Sequence, residues 1–106
     1  MIRIQEKQEE DFLLVHFSGS FELQDADQVE TYFRSILQRT KYKVVLLFNQ
    51  IDQLPATFMT PLLRLRNSLS DQGGVIILYE LPYEFYFLLK FAKQTEGFDF
   101  RNENEK

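Results

Sequence analysis

With 106 residues, 44% of them hydrophobic, the chain is long enough for one packed domain and too short for two comfortable ones. A formal charge of −4, with basic residues scattered singly except for Arg64 and Arg66, excludes a phosphate-tracking nucleic-acid surface, which needs clustered Lys and Arg. Cys 0 excludes disulfides and thiolate metal sites, and no segment has the apolar run of a signal peptide or a membrane span. A cytoplasmic protein with no direct membrane insertion is expected.

The stretch "IRIQEKQEEDFLLVHFSG" predicts two short strands around the charged turn "EKQEED". Ile2 and Ile4 alternate with polar residues, and Leu13, Val15 and Phe17 alternate with Leu14 and His16. "QDADQVETYFRSILQRT" predicts a helix with Asp25 as N-cap and Asp27 in its first turn. Val29, Phe33, Ile36 and Leu37 share one face of it, and Arg39 and Lys41 lie near its C-terminal end. "KVVLLFN" is an aliphatic run too short for a helix and reads as a strand buried on both faces.

"IDQLPATFMTPLLRLRNSL" leads from that strand into a second helix with the apolar stripe Phe58, Leu62, Leu65 and Leu69, stopped by "DQGG". Pro61 lacks an N–H and belongs in a first turn, with Thr60 before it as the N-cap. Pro55 to Met59 should then form a bent lead-in. "VIILYEL" is another buried strand, and "PYEFYFLLKFAKQTEG" a third helix opened by Pro82 and closed by Gly97. Its inward face is predicted as Phe85, Leu88, Leu89 and Ala92, while Tyr83, Phe87 and Phe91 lie along a flank. "FDF" follows as a short edge strand and "RNENEK" as a tail.

The order β-β-α-β-α-β-α, with a last strand, predicts an α/β fold in one domain over 1–100 and a tail over 101–106. Its sheet is mixed, with four or five strands and three main helices, the later strands running parallel through right-handed crossovers. Chemistry is scarce. His16 is the lone histidine, Ser18, Ser35, Ser68 and Ser70 have no activating motif, and Glu9, Glu10 and Asp11 are merely adjacent in a turn. Gly73 and Gly74 run from helix to strand, the reverse of a phosphate loop. No catalytic, cofactor-binding or metal-binding residue is assigned, and a non-enzymatic module is expected.

With its elements in order, the chain resembles a STAS domain, the family of bacterial anti-sigma factor antagonists. The resemblance runs through "VHFSGSFELQDADQVETYF", "KVVLLFNQIDQLPATFMTPLLRL", "DQGGVIILYELP" and a last helix ending in "EGF". The family's signature at the strand–helix junction is Asp-Ser-Ser-Gly-Leu, with Thr in place of either Ser. Its first Ser or Thr is phosphorylated by a partner kinase that is also the anti-sigma factor. Here Pro55 takes the Asp position, Ala56 the acceptor, Thr57 the second Ser, Phe58 the Gly and Met59 the Leu.

The resemblance implies a protein-interaction module that regulates signalling or sigma-factor-dependent transcription through Pro55, Ala56, Thr57, Phe58 and Met59. Its partner would be an anti-sigma factor, kinase-type or otherwise, or another regulatory protein. An accessory subunit of a membrane transporter complex is the alternative. Ala56 cannot accept a phosphate, which leaves Thr57, one residue late, and Thr60 as the fallback hydroxyls. Phe58 either anchors a partner or turns inward as core. Tyr83, Phe87 and Phe91 form a candidate second contact surface, covered by a partner or by a homodimer.

Overall fold

The computed structural model describes residues 2–39 and 43–102. Five strands form one sheet in chain order: β1 (Ile2–Gln8), β2 (Leu13–Gly19), β3 (Lys43–Gln50), β4 (Val75–Tyr79) and β5 (Phe98–Arg101). β1 pairs antiparallel with β2, and every later pair is parallel. Three helices make the crossovers: α1 (Asp25–Arg39), α2 (Met59–Asp71) and α3 (Tyr83–Phe91). The mixed sheet, the parallel later strands and the three helices agree with the element order predicted from sequence.

Parallel crossovers that each step one strand in the same direction, with one hand, place all their helices on one face. Leu13, Val15 and Phe17 of β2, with Val44, Leu46 and Phe48 of β3, turn toward that face and are buried. Against them pack Val29, Phe33 and Ile36 of α1, Leu62, Leu65 and Leu69 of α2, and Phe85 and Leu89 of α3. The expectation that β3 is buried on both faces is corrected here. Val45 and Leu47 alternate with its core residues and stay partly exposed, because no helix lies on their side.

Local chemistry moves several boundaries. The charged turn is shorter than expected: Glu6, Lys7 and Gln8 continue β1, and the Glu9 N–H donates to the Phe12 carbonyl at 2.8 Å to close the turn. Asp25 is not the N-cap. It sits inside the first turn of α1, and its Oδ2 accepts the backbone N–H of Glu22 at 2.9 Å, three residues back, as one half of a capping box does.

α3 ends at Phe91 rather than near Gly97. Lys93 takes a left-handed φ of 58°, and the Gln94 N–H donates to the Leu89 carbonyl at 2.9 Å. With the helix this short, its inward face reduces to Phe85 and Leu89, while Leu88 and Ala92 are exposed. Arg101, expected to open the tail, instead pairs with Tyr79 in β5. Residues 103–106 and Lys41 lie outside the described residues. Among the described residues, no helix is long and apolar enough to cross a membrane.

Glu6 ties the edge strand to α1. Its carboxylate accepts the Tyr32 hydroxyl at 2.5 Å and the Arg39 guanidinium at 2.5 and 3.0 Å. Arg39, then Tyr32, stabilises the charged form and holds the Glu6 carboxyl down from 4.5 to about 2. Burial, reinforced by the Glu6 charge, pushes the Tyr32 phenol up. A carboxyl with a depressed folded pKa contributes stability that is complete above the unfolded value and is lost as pH falls through the folded one. Glu6→Gln is therefore expected to lower the melting temperature at neutral pH. The gap to the native chain should close as pH drops from 4.5 toward about 2. A gap that persists unchanged at the acid end would show that the carboxylate charge is not its source.

Candidate functional site

The junction after β3 begins with a tight turn, the Ile51 N–H donating to the Phe48 carbonyl at 2.9 Å. Ile51 and Leu54 are buried and pin the loop, while Asp52 and Gln53 face outward. Pro55 is extended, with φ −72° and ψ 158°, which suits its ring. One 3-10 turn follows over Ala56–Phe58, closed by the Phe58 N–H donating to the Pro55 carbonyl at 3.0 Å. The Met59 N–H then bonds the Ala56 carbonyl and the α-helix begins. This is the bent lead-in predicted from Pro61. Thr60, however, lies inside the first turn of α2 instead of capping it, and Pro61 sits where a missing N–H leaves no bond unmade.

Phe58 settles which of its two readings applies. Its side chain is 0% exposed. Its ring is met by Phe21 at 5.0 Å, Phe85 at 5.7 Å, Phe48 at 5.8 Å, and Phe17 and Phe33 each at 6.1 Å, all near edge-to-face. Such pairs contribute beyond their burial. Phe58 is thus removed from the contact residues expected at the junction. It stands where sheet, α1 and α3 converge, at the position the resemblance gives to Gly, and it fixes the 3-10 turn from below. Met59 is half-buried against the core.

What remains at the surface is Pro55 and Met59, both partly exposed, with Ala56 and Thr57 exposed. The Ala56 methyl has no oxygen to carry a phosphate. The nearby exposed hydroxyls are those of Thr57 and Thr60.

On α3, Tyr83 is 69% exposed, Phe87 40% and Phe91 85%. The Tyr83 and Phe87 rings meet edge-to-face at 4.5 Å, an aromatic ledge with nothing of this chain above it among the described residues. A cleft of about 440 Å³ lies between Phe87 of this ledge and the loop that precedes the junction, lined by Gln53, Leu54, Pro82, Glu84, Phe85 and Phe87, among others. Sequence reading missed Gln53, Leu54 and Pro82 as the lining of this cleft. Their only signal was position, each lying in a loop at the C-terminal ends of β3 and β4, where α/β sheets commonly place their sites.

Elsewhere, His16 Nε2 lies 3.1 Å from Asn49 Oδ1. No group of three or more His, Asp or Glu that could hold a metal occurs among the described residues.

No family model matches the sequence, and no curated protein matches it significantly. Solved structures do match. A candidate anti-sigma factor antagonist from Thermotoga maritima superposes with a TM-score of 0.78 at 12% identity, over 95% of this chain and 87% of that one. The Bacillus cell fate determinant SpoIIAA, in its phosphorylated form, gives 0.75 at 12% identity over 95% and 93%. A STAS domain protein from Planctomyces limnophilus gives 0.74 at 16% identity over 96% and 91%. The chain has a STAS-like fold, the fold of these anti-sigma factor antagonists.

Proposed function

We propose that the chain is a non-enzymatic interaction module that binds a regulatory partner through Pro55, Ala56, Thr57 and the aromatic flank of α3, without a phosphorylation switch at position 56. The observation that carries this reading is the Ala56–Phe58 turn. Phe58 is locked into the core while Ala56 and Thr57 stand exposed at the position that carries the acceptor in the STAS signature. Tyr83, Phe87 and Phe91 extend that surface with the kind of side chain that anchors interfaces. The partner in this reading is an anti-sigma factor, kinase-type or not, or another cytoplasmic regulator, and the output is signalling or sigma-factor-dependent transcription. Without an acceptor at Ala56, binding depends on partner concentration rather than on phosphate.

Two measurements test it. Incubated with ATP and a kinase-type anti-sigma factor, the chain should keep its unmodified intact mass. Stoichiometric phosphate on Thr57 would mean that the switch survives one residue later. In affinity purification from the native cell, Phe87→Ser with Phe91→Ser should retain at least about tenfold less of the partner than the native chain, in keeping with loss of interface anchors. The circular dichroism spectrum should stay native, since both rings are exposed. Undiminished retention would remove α3 from the surface.

A further inference from the structure

Four of the five strands run parallel, yet one face of the sheet carries no helix. Parallel sheets are covered on both faces in nearly all α/β proteins. The bare face is apolar at its centre: Leu14, Val45, Leu47, Ile77 and Tyr79 line a shallow depression of about 370 Å³. Ile77 belongs to this face and not to the helix-side core, and its neighbours alone reduce it to 6% exposure.

We propose that a second copy of this chain covers the face, related by a two-fold axis that runs parallel to β3 between the two sheets. This surface is separate from the junction and α3, and the proposal does not rest on the function proposed above. β3 is the central strand, flanked by β2 and β4, with β1 and β5 at the edges. Such an axis lays β2 of one copy over β4 of the other, and β1 over β5, at the same level along the strands.

The register then decides what meets what. Lys7, Leu14, Val45, Ile77 and Asp99 form one level across the sheet. Leu14 meets the partner's Ile77, Val45 meets the partner's Val45, and the Lys7 ammonium meets the partner's Asp99 carboxylate. One level on, Leu47 meets the partner's Leu47, and His16 the partner's Tyr79. At the other end Phe12 reaches the partner's Val75, a residue 51% exposed in the single chain. Aliphatic positions meet aliphatic ones along the axis, and at the edges Lys7 meets Asp99 while Arg101 faces the partner's Gln5.

The exception is Lys43, which lies on the axis. It sits at the rim, with its ammonium 5.9 Å from the centre of the Phe12 ring. In the single chain Lys7 pairs with Glu9 at 3.3 Å and Asp99 with Arg101 at 2.8 Å. These exposed contacts are weak enough to exchange. Five strands and about five residues give a face of roughly 20 by 16 Å. That is small beside the about 800 Å² per partner of a standard interface, so the dimer should be reversible and concentration-dependent.

Sedimentation velocity of the full chain should show monomer shifting to dimer between about 10 µM and about 1 mM, the regime of small interfaces. Leu47→Glu, which sets two carboxylates on the axis, should weaken dimerisation at least about tenfold. Lys7→Glu and Asp99→Lys should each weaken it, and the two together should restore it. Both positions are exposed, so this pair remains informative even if Leu47→Glu fails to fold. The α3 variant Phe87→Ser with Phe91→Ser should leave the dimer unchanged. A chain that stays monomeric throughout, a dimer that survives Leu47→Glu, or a charge exchange that restores nothing would each overturn the proposal.

Discussion

Phe58→Ala is expected to cost about 3–5 kcal/mol of stability, the range for removing a large aromatic ring from a packed core. The ring is fully buried and is shared by β2, β3, α1 and α3 through Phe17, Phe48, Phe33 and Phe85. No single neighbour can collapse into the space it leaves. A domain of this size has a net stability of only about 5–15 kcal/mol, and each kcal/mol lowers the melting temperature by roughly 4–8 °C. A fall of about 12 °C or more should follow in thermal denaturation. Phe58→Leu keeps most of the apolar volume and should cost clearly less. A loss below about 1 kcal/mol for the alanine variant, ordinary for a surface position, would place the ring outside the core. The same variant should free the Ala56–Phe58 turn that the ring supports, loosening the junction as well as the fold.

Arg66→Ala is the second large effect. Arg66 leaves α2 and holds the connection between α3 and β5 with one guanidinium. Nη1 donates to the Gln94 carbonyl at 2.9 Å and the Glu96 carbonyl at 3.1 Å, and Nη2 donates to Gln94 Oε1 at 2.9 Å. Nε donates to Asn67 Oδ1 at 3.0 Å, and the guanidinium lies 5.1 Å from the centre of the Phe98 ring. Removing it strips a donor from two backbone carbonyls and a cation from an aromatic face. A loss of about 2–3 kcal/mol is expected, as for other charged hydrogen-bonding groups. Arg66→Lys should recover little, because an ammonium lacks the planar fork. Gly97→Ala should weaken the same connection for two separate reasons. Gly97 has a φ of +88°, and a Cβ there would come within 2.9 Å of Arg66 Cδ. Hydrogen exchange should speed up selectively in β5. Stability within about 0.5 kcal/mol of native for Arg66→Ala, typical of surface changes, would mean that the clamp contributes nothing.

The elements were legible because their periods differ. Val29, Phe33 and Ile36 repeat as a helix face does, Leu13, Val15 and Phe17 as a strand face does, and both sets are buried. Hydrophobicity alone could not show that β3 has one bare face, since Val45 and Leu47 are as aliphatic as Val44 and Leu46. That depends on the direction in which the chain winds. At the junction two signals competed. Family correspondence set Phe58 in place of the signature's Gly, whereas its spacing with Leu62, Leu65 and Leu69 put it on the buried stripe, and the spacing was the better guide. The cleft between the loop after β3 and α3 was illegible because it is lined by segments adjacent only in space.

The central claim is that the surface around Ala56 and Thr57 is a docking site in its own right. Its most direct test is site-specific photocrosslinking in the native cell, with the probe at Thr57 and a control probe at Gln38, exposed near the far end of α1. The prediction is a covalent adduct from Thr57 to a regulatory protein of the anti-sigma class, absent from Gln38. A partner crosslinked from Gln38 and not from Thr57 would contradict it.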